Sequence, residues 1–151
     1  MQSRRQTLRH SAAVLGLLAS NGLFAQPALA LGNAAFEWKS LQEVIKELGA
    51  GALAESSDVT LTVPDLAEIG ALVPLSVNTT WPDVWRMLIL VENNPAPLIA
   101  VFNVSESIEP AFSTRVKMAQ SSDVYAVALL ADGRAMYARK AVKVTLGSCE
   151  A

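Results

Sequence analysis

Beyond Gly51 the chain is cut by turn residues into short apolar runs, each about the length of one β-strand. Residues 59–63 alternate strictly between apolar and polar, and residues 124–130 alternate again. Residues 71–77 are apolar with Pro74 inside, which predicts an edge position or a bulge. Apolar runs at 85–91 and 98–104 are separated by Asn93-Asn94-Pro95-Ala96-Pro97, a strong turn cluster. Residues 112–118 alternate less cleanly and place Arg115 and Lys117 on one face. Asp132-Gly133 predicts a hairpin turn into 135–139, and 141–146 ends the ordered part. Strands this short, at this spacing, predict an all-β fold: an immunoglobulin-like antiparallel β-sandwich.

One short N-terminal helix precedes it. Ser40 and Glu43 form a Ser-x-x-Glu capping box, in which the hydroxyl satisfies an early backbone N–H. Leu41, Val44, Ile45 and Leu48 make one apolar stripe, and Gly49 supplies the stop. The stripe is expected to dock on the core or on a partner.

The first 30 residues read as a signal peptide. Arg4, Arg5, Arg9 and His10 precede an apolar stretch at 12–24, and Ala28-Leu29-Ala30 puts small residues where a signal peptidase reads. The apolar part is short of the roughly 20 residues a membrane span needs, which argues against an uncleaved anchor. The paired arginines, with Leu8 following, resemble a twin-arginine signal, although Thr7 stands where phenylalanine is usual. The expectation is export to a bacterial periplasm, already folded, with residues 31–146 as one domain and 147–151 as a flexible tail.

Without residues 1–30 the Lys+Arg count falls from 12 to 9 against 14 Asp+Glu, a formal net charge of −5. An acidic domain of this kind lacks the basic face that nucleic acid demands and the polybasic stretch that acidic lipids attract. Removal of His10 leaves no histidine, so no Ser-His-Asp triad or Cys-His pair can form within the chain. No cofactor or metal site is expected, since a single thiol cannot build a thiolate cage. The carboxylates show no acid/base spacing, and Gly49-Ala50-Gly51 lacks the Lys-Ser/Thr of a phosphate loop. Trp81 and Trp85 read as packing residues rather than ligand contacts. The Asn78 and Asn103 sequons read as incidental behind a bacterial signal.

Cys149 remains as the chain's only cysteine, third from its end. It has no internal disulfide partner, so whatever it does involves another molecule. It stands at the end of Lys143-Val144-Thr145-Leu146-Gly147-Ser148-Cys149-Glu150.

This ending resembles that of the SoxY family, whose last strand, of the form Val-Lys-Val-Thr-Leu/Ile, runs into Gly-Gly-Cys-Gly-Gly. The similarity extends upstream. Residues 63–74, with Ala67-Glu68, Gly70 and Val73-Pro74, resemble the family's Pro-x-x-Ala-Glu-Asn-Gly-x-x-Val-Pro segment. Residues 92–97 resemble its Glu-Lys-Asn-Pro-x-Pro turn, and residues 113–120 its Ser-Thr-Arg-Ile/Val-Arg-Leu-Ala-Gln strand.

The resemblance implies a sulfur carrier that is not itself an enzyme. It implies a heterodimer with a SoxZ-like subunit, exported together. The cysteine holds the cargo covalently; a SoxAX-type heme protein attaches thiosulfate, a SoxB-type enzyme hydrolyses the sulfonate, and a SoxCD-type enzyme, where present, oxidises the remaining sulfane. Cys149 is then the attachment point, with Gly147, Ser148 and Glu150 as the carrier tail. Ser148 and Glu150 depart from the family's glycines, and Ile69 stands where asparagine is common. A carboxylate beside the thiol disfavours the thiolate and repels an attached sulfonate. The rival reading is an interaction subunit that pairs with a SoxZ-like partner but has lost or altered carrier activity. A redox-sensing or dimer-forming thiol is the second rival.

Overall fold

The computed structural model describes residues 36, 37 and 39–146, and all of these belong to one compact unit, residues 33–151. A short helix, α1 (Leu41–Glu47), leads in. Its cap is as the sequence predicts: the Ser40 hydroxyl accepts from the Glu43 N–H at 3.2 Å. The returning Glu43 carboxylate accepts from the Lys39 N–H at 2.9 Å, one residue earlier than a capping box places it. Gly49 takes a left-handed φ of 70°, and the bonds Gly49 N–H to Lys46 O and Ala50 N–H to Ile45 O complete a Schellman ending.

Among the described residues nine strands follow: β1 (Leu53–Glu55), β2 (Val59–Thr62), β3 (Leu66–Ile69), β4 (Val73–Thr79), β5 (Val84–Val91), β6 (Leu98–Asn103), β7 (Ala111–Val116), β8 (Ser122–Leu130) and β9 (Ala135–Leu146). They form two sheets. One runs β1-β9-β8-β5-β6, with β3 also on β9, and the other runs β2-β4-β7. Met87, Ile89 and Val91 of β5 and Val124, Ala126 and Ala128 of β8 meet Val59, Val73, Leu75 and Val77 of the small sheet in one buried core. The alternate residues Leu88, Leu90, Val127 and Leu129 are buried as well, as are Val44 and Ile45 of α1. A small cleft lined by Leu48, Ala50, Trp85 and Leu129 joins the helix end to this second face.

The expected sandwich is therefore present, with three differences in detail. First, β1 and β3 were not legible as strands, and both pair with β9 in parallel rather than antiparallel fashion. They lie in tandem along the side of β9 that β8 leaves open, which protects an otherwise exposed edge. Second, the runs at 135–139 and 141–146 are one strand of 12 residues. Lys140 interrupts the apolar pattern, but its amine reaches past the sheet to the Val63 carbonyl at 2.7 Å and Asp65 at 2.9 Å. Third, Gly70–Leu72 is a 3₁₀ turn, so β4 begins only at Val73.

Pro74 sits in the middle strand of the small sheet, yet it meets the edge expectation locally. The register of β2 with β4 stops at Thr62↔Ser76, so β7 alone pairs with β4 at Pro74. The Asp132-Gly133 turn closes β8 onto β9 with Gly133 at φ 87° and the Gly133 N–H donating to Leu130 O at 3.0 Å. Trp81 is a packing residue, as expected: it lies against the core, donates to Ser56 at 3.1 Å and carries the Arg134 guanidinium over its ring.

Among the described residues no helix is long and apolar enough to cross a membrane. A Cβ at Gly49 would meet open space, so Gly49→Ala isolates the conformational cost. We expect a loss of about 1–2 kcal/mol in urea unfolding from the left-handed φ alone.

Candidate functional site

Cys149 and the other predicted tail residues, Gly147, Ser148 and Glu150, lie outside the described residues. What the structure defines is the root from which they follow. The root is the far end of β9, where three stretches distant in sequence converge.

The last residues of β9 run past the reach of β8. The β8–β9 register ends at Ser122↔Val142, whereas β9 continues to Leu146. Backbone groups left without a strand partner must find another. On one side β3 provides it, with the registers Leu66↔Lys143, Ala67↔Val144 and Ile69↔Leu146. The Thr145 hydroxyl adds a bond to the Glu68 carbonyl at 2.9 Å. On the other side a single side chain stands in for the missing strand. The Ser121 hydroxyl accepts from the Val144 N–H at 2.9 Å and donates to the Val144 carbonyl at 3.3 Å.

Ser121 is positioned from the β5–β6 turn. The Asn93 amide donates to the Ser121 carbonyl at 3.0 Å, and the Asn93 backbone N–H donates to the Ser122 hydroxyl at 2.9 Å. Asn94 spans the neighbouring loop: its amide donates to Lys117 O at 2.7 Å, and its side-chain oxygen accepts from the Ala119 N–H at 2.9 Å. Glu92, which opens the same turn, donates its N–H to Asp123 O at 3.0 Å and accepts the Tyr125 hydroxyl at 3.2 Å. Burial pushes the Tyr125 phenol above its usual 10.0, with Arg139 pulling the other way, so it stays protonated as a donor to Glu92.

Gly70 joins this loop to β3. Its carbonyl accepts from the Met118 N–H at 2.7 Å. A methyl group at Gly70 would overlap the Met118 carbonyl oxygen and press on Val144 and Leu146. The absence of a Cβ is thus what lets the 117–119 loop, the 3₁₀ turn and the end of β9 approach one another.

Sequence reasoning quoted Gly70, Asn93, Asn94 and the 113–120 stretch as separate motifs. It did not foresee that they meet, and it missed Ser121 altogether. The one available signal was an Asn-Asn pair beside prolines, since short amide side chains serve as backbone substitutes. Among the described residues no three His, Cys, Asp or Glu side chains are grouped to hold a metal.

A family model and a solved structure point to the same family. The family model for the sulfur oxidation protein SoxY matches residues 45–149, a span that includes Cys149. Among solved structures, the sulfur carrier protein SoxY from Chlorobium limicola f thiosulfatophilum is 30% identical with a TM-score of 0.62, covering 70% of this chain and 94% of that one. A superoxide reductase (neelaredoxin) from Ignicoccus hospitalis shares the fold at 16% identity and a TM-score of 0.50, covering 57% of this chain and 79% of its own. No curated protein matches the sequence.

Two substitutions test the root. Gly70→Ala should cost about 1–3 kcal/mol in denaturant unfolding, because the overlap is with backbone. Ser121→Ala should leave the global midpoint within a few degrees while amide exchange at Val144 rises about fivefold, the loss of roughly 1 kcal/mol in one hydrogen bond.

Proposed function

The chain belongs to the SoxY family of sulfur oxidation proteins, and from that premise we propose that it is a periplasmic sulfur carrier that holds its cargo covalently on Cys149. The observation that carries this reading is the reach of the family match through Cys149, taken with the braced strand end that precedes it. The carrier brings no catalytic group. It brings a thiol on a short leash, and partner enzymes bring the chemistry.

The first step joins the Cys149 sulfur to the outer sulfur of thiosulfate. The thiol loses its proton, a sulfur–sulfur bond forms, and two electrons pass to a SoxAX-type heme protein. The product is a cysteine S-thiosulfonate with one negative charge. In the second step a SoxB-type enzyme adds water across the bond between the sulfane sulfur and the sulfonate. Sulfate leaves, one proton is released, and a persulfide (S–SH) remains on Cys149 for a SoxCD-type enzyme or an equivalent oxidant. Tethering raises the effective concentration of each intermediate at the next enzyme.

A SoxZ-like subunit would accompany the carrier, and the signal at 1–30 would export the pair by the twin-arginine route. Glu150 places a carboxylate next to the attachment point, so the enzymes that accept this tail need a cation where relatives with glycine need none.

Incubation with thiosulfate and the SoxAX-type protein should add the mass of one thiosulfonate, and Cys149→Ser should abolish it. No adduct on the unmodified chain overturns the carrier reading. Full sulfur oxidation with Cys149→Ser would instead favour an interaction subunit.

A further inference from the structure

The tail-bearing end is apolar in a place where folding does not require it. Ile69, Leu72 and Leu146 are 60%, 67% and 57% exposed. Ile69 and Leu146 are register partners across β3 and β9. Two residues back on the same strands the partners are Ala67 and Val144, both of which pack into the core. Residues two apart share one face of a strand, so Ile69 and Leu146 carry the core face onward past the end of the sandwich. Leu72 stands on the 3₁₀ turn beside them and also lines an open groove of about 960 Å³ with Val63, Pro64, Pro74 and Arg115. Large apolar side chains left in water on adjoining elements mark an interaction surface.

The length of the chain beyond the root decides what covers it. Cys149 is three residues past Leu146, at most roughly 10 Å away when extended. An enzyme that takes this thiol into a recessed site must bring its entrance against whatever surrounds Leu146. We propose that Ile69, Leu72 and Leu146 form the seat for the enzymes that act on Cys149, and that those enzymes present an apolar rim around the channel. The seat rests on the carrier reading and adds its recognition surface.

The test uses the chain paired with its SoxZ-like subunit, thiosulfate and the SoxAX-type protein, with loading followed by intact mass over a range of carrier concentrations. The triple variant Ile69→Asn, Leu72→Ser, Leu146→Ser should raise KM for the carrier about tenfold with kcat unchanged, as expected when binding alone is lost. Its Cys149 should react with dithiobis(nitrobenzoate) at the rate of the unmodified chain. Ile69→Asn alone, the mildest change for folding, should raise KM about threefold. An unchanged KM in both variants overturns the seat while loading of the unmodified chain still supports the carrier. Weakened pairing with the SoxZ-like subunit, or loss of self-association, assigns the patch to that contact and overturns the seat as well. If the unmodified chain is not loaded, both readings fall.

Discussion

A strand that outruns its neighbour leaves peptide groups that must be satisfied elsewhere, and the end of β9 is such a strand. The two flanks solve this differently. β3 supplies a short parallel ladder, and Ser121 supplies one hydroxyl that serves both the N–H and the C=O of Val144. Much of the surrounding architecture keeps those two devices in place. Asn93 holds Ser121, Asn94 holds the loop before it, and Gly70 permits the loop to lie close enough to bond. The core below explains why the sandwich is stable; this upper layer explains how its last strand keeps partners beyond the reach of β8.

The legible parts of the fold were those written locally. The Ser40 cap, the Gly49 ending and the Asp132-Gly133 hairpin each depend on a few adjacent residues, and the sequence carried their signatures. The alternating run of β2 was legible because one face is buried, whereas β8 was legible as an apolar run and is buried on both faces. β1 and β3 were not, since strands of three and four residues carry too little pattern and owe their existence to β9. Lys140 split β9 in the reading because a charge at a core-facing position looks like a break, whereas a long flexible stem lets the amine leave. At the candidate site the motifs themselves were visible through their resemblance to SoxY, but their convergence is a tertiary fact. Asn94 and Lys117 are 23 residues apart in the chain and share a hydrogen bond.

A carrier of this design divides labour between reach and aim. If Cys149 bears the cargo, as proposed, three residues of leash give little search volume, so the direction in which the thiol leaves matters as much as its distance. On the proposed reading, a root fixed on both flanks is what aims the chain as it leaves Leu146. The same logic relates Ile69 and Leu146, which are register partners, to the tail: an enzyme that reads these side chains is reading the heading of the leash at the same time.

The bracing of β9 also has a mechanical side. Tension applied beyond Leu146 runs along the strand, nearly at right angles to the ladder bonds that join it to β8. Such a geometry resists by shear: the rungs on β8, from Ser122↔Val142 down to Leu129↔Ala135, share the strain instead of opening one after another. The register thus sets the strand as an anchor bolt is set, loaded along its length and not peeled from its tip.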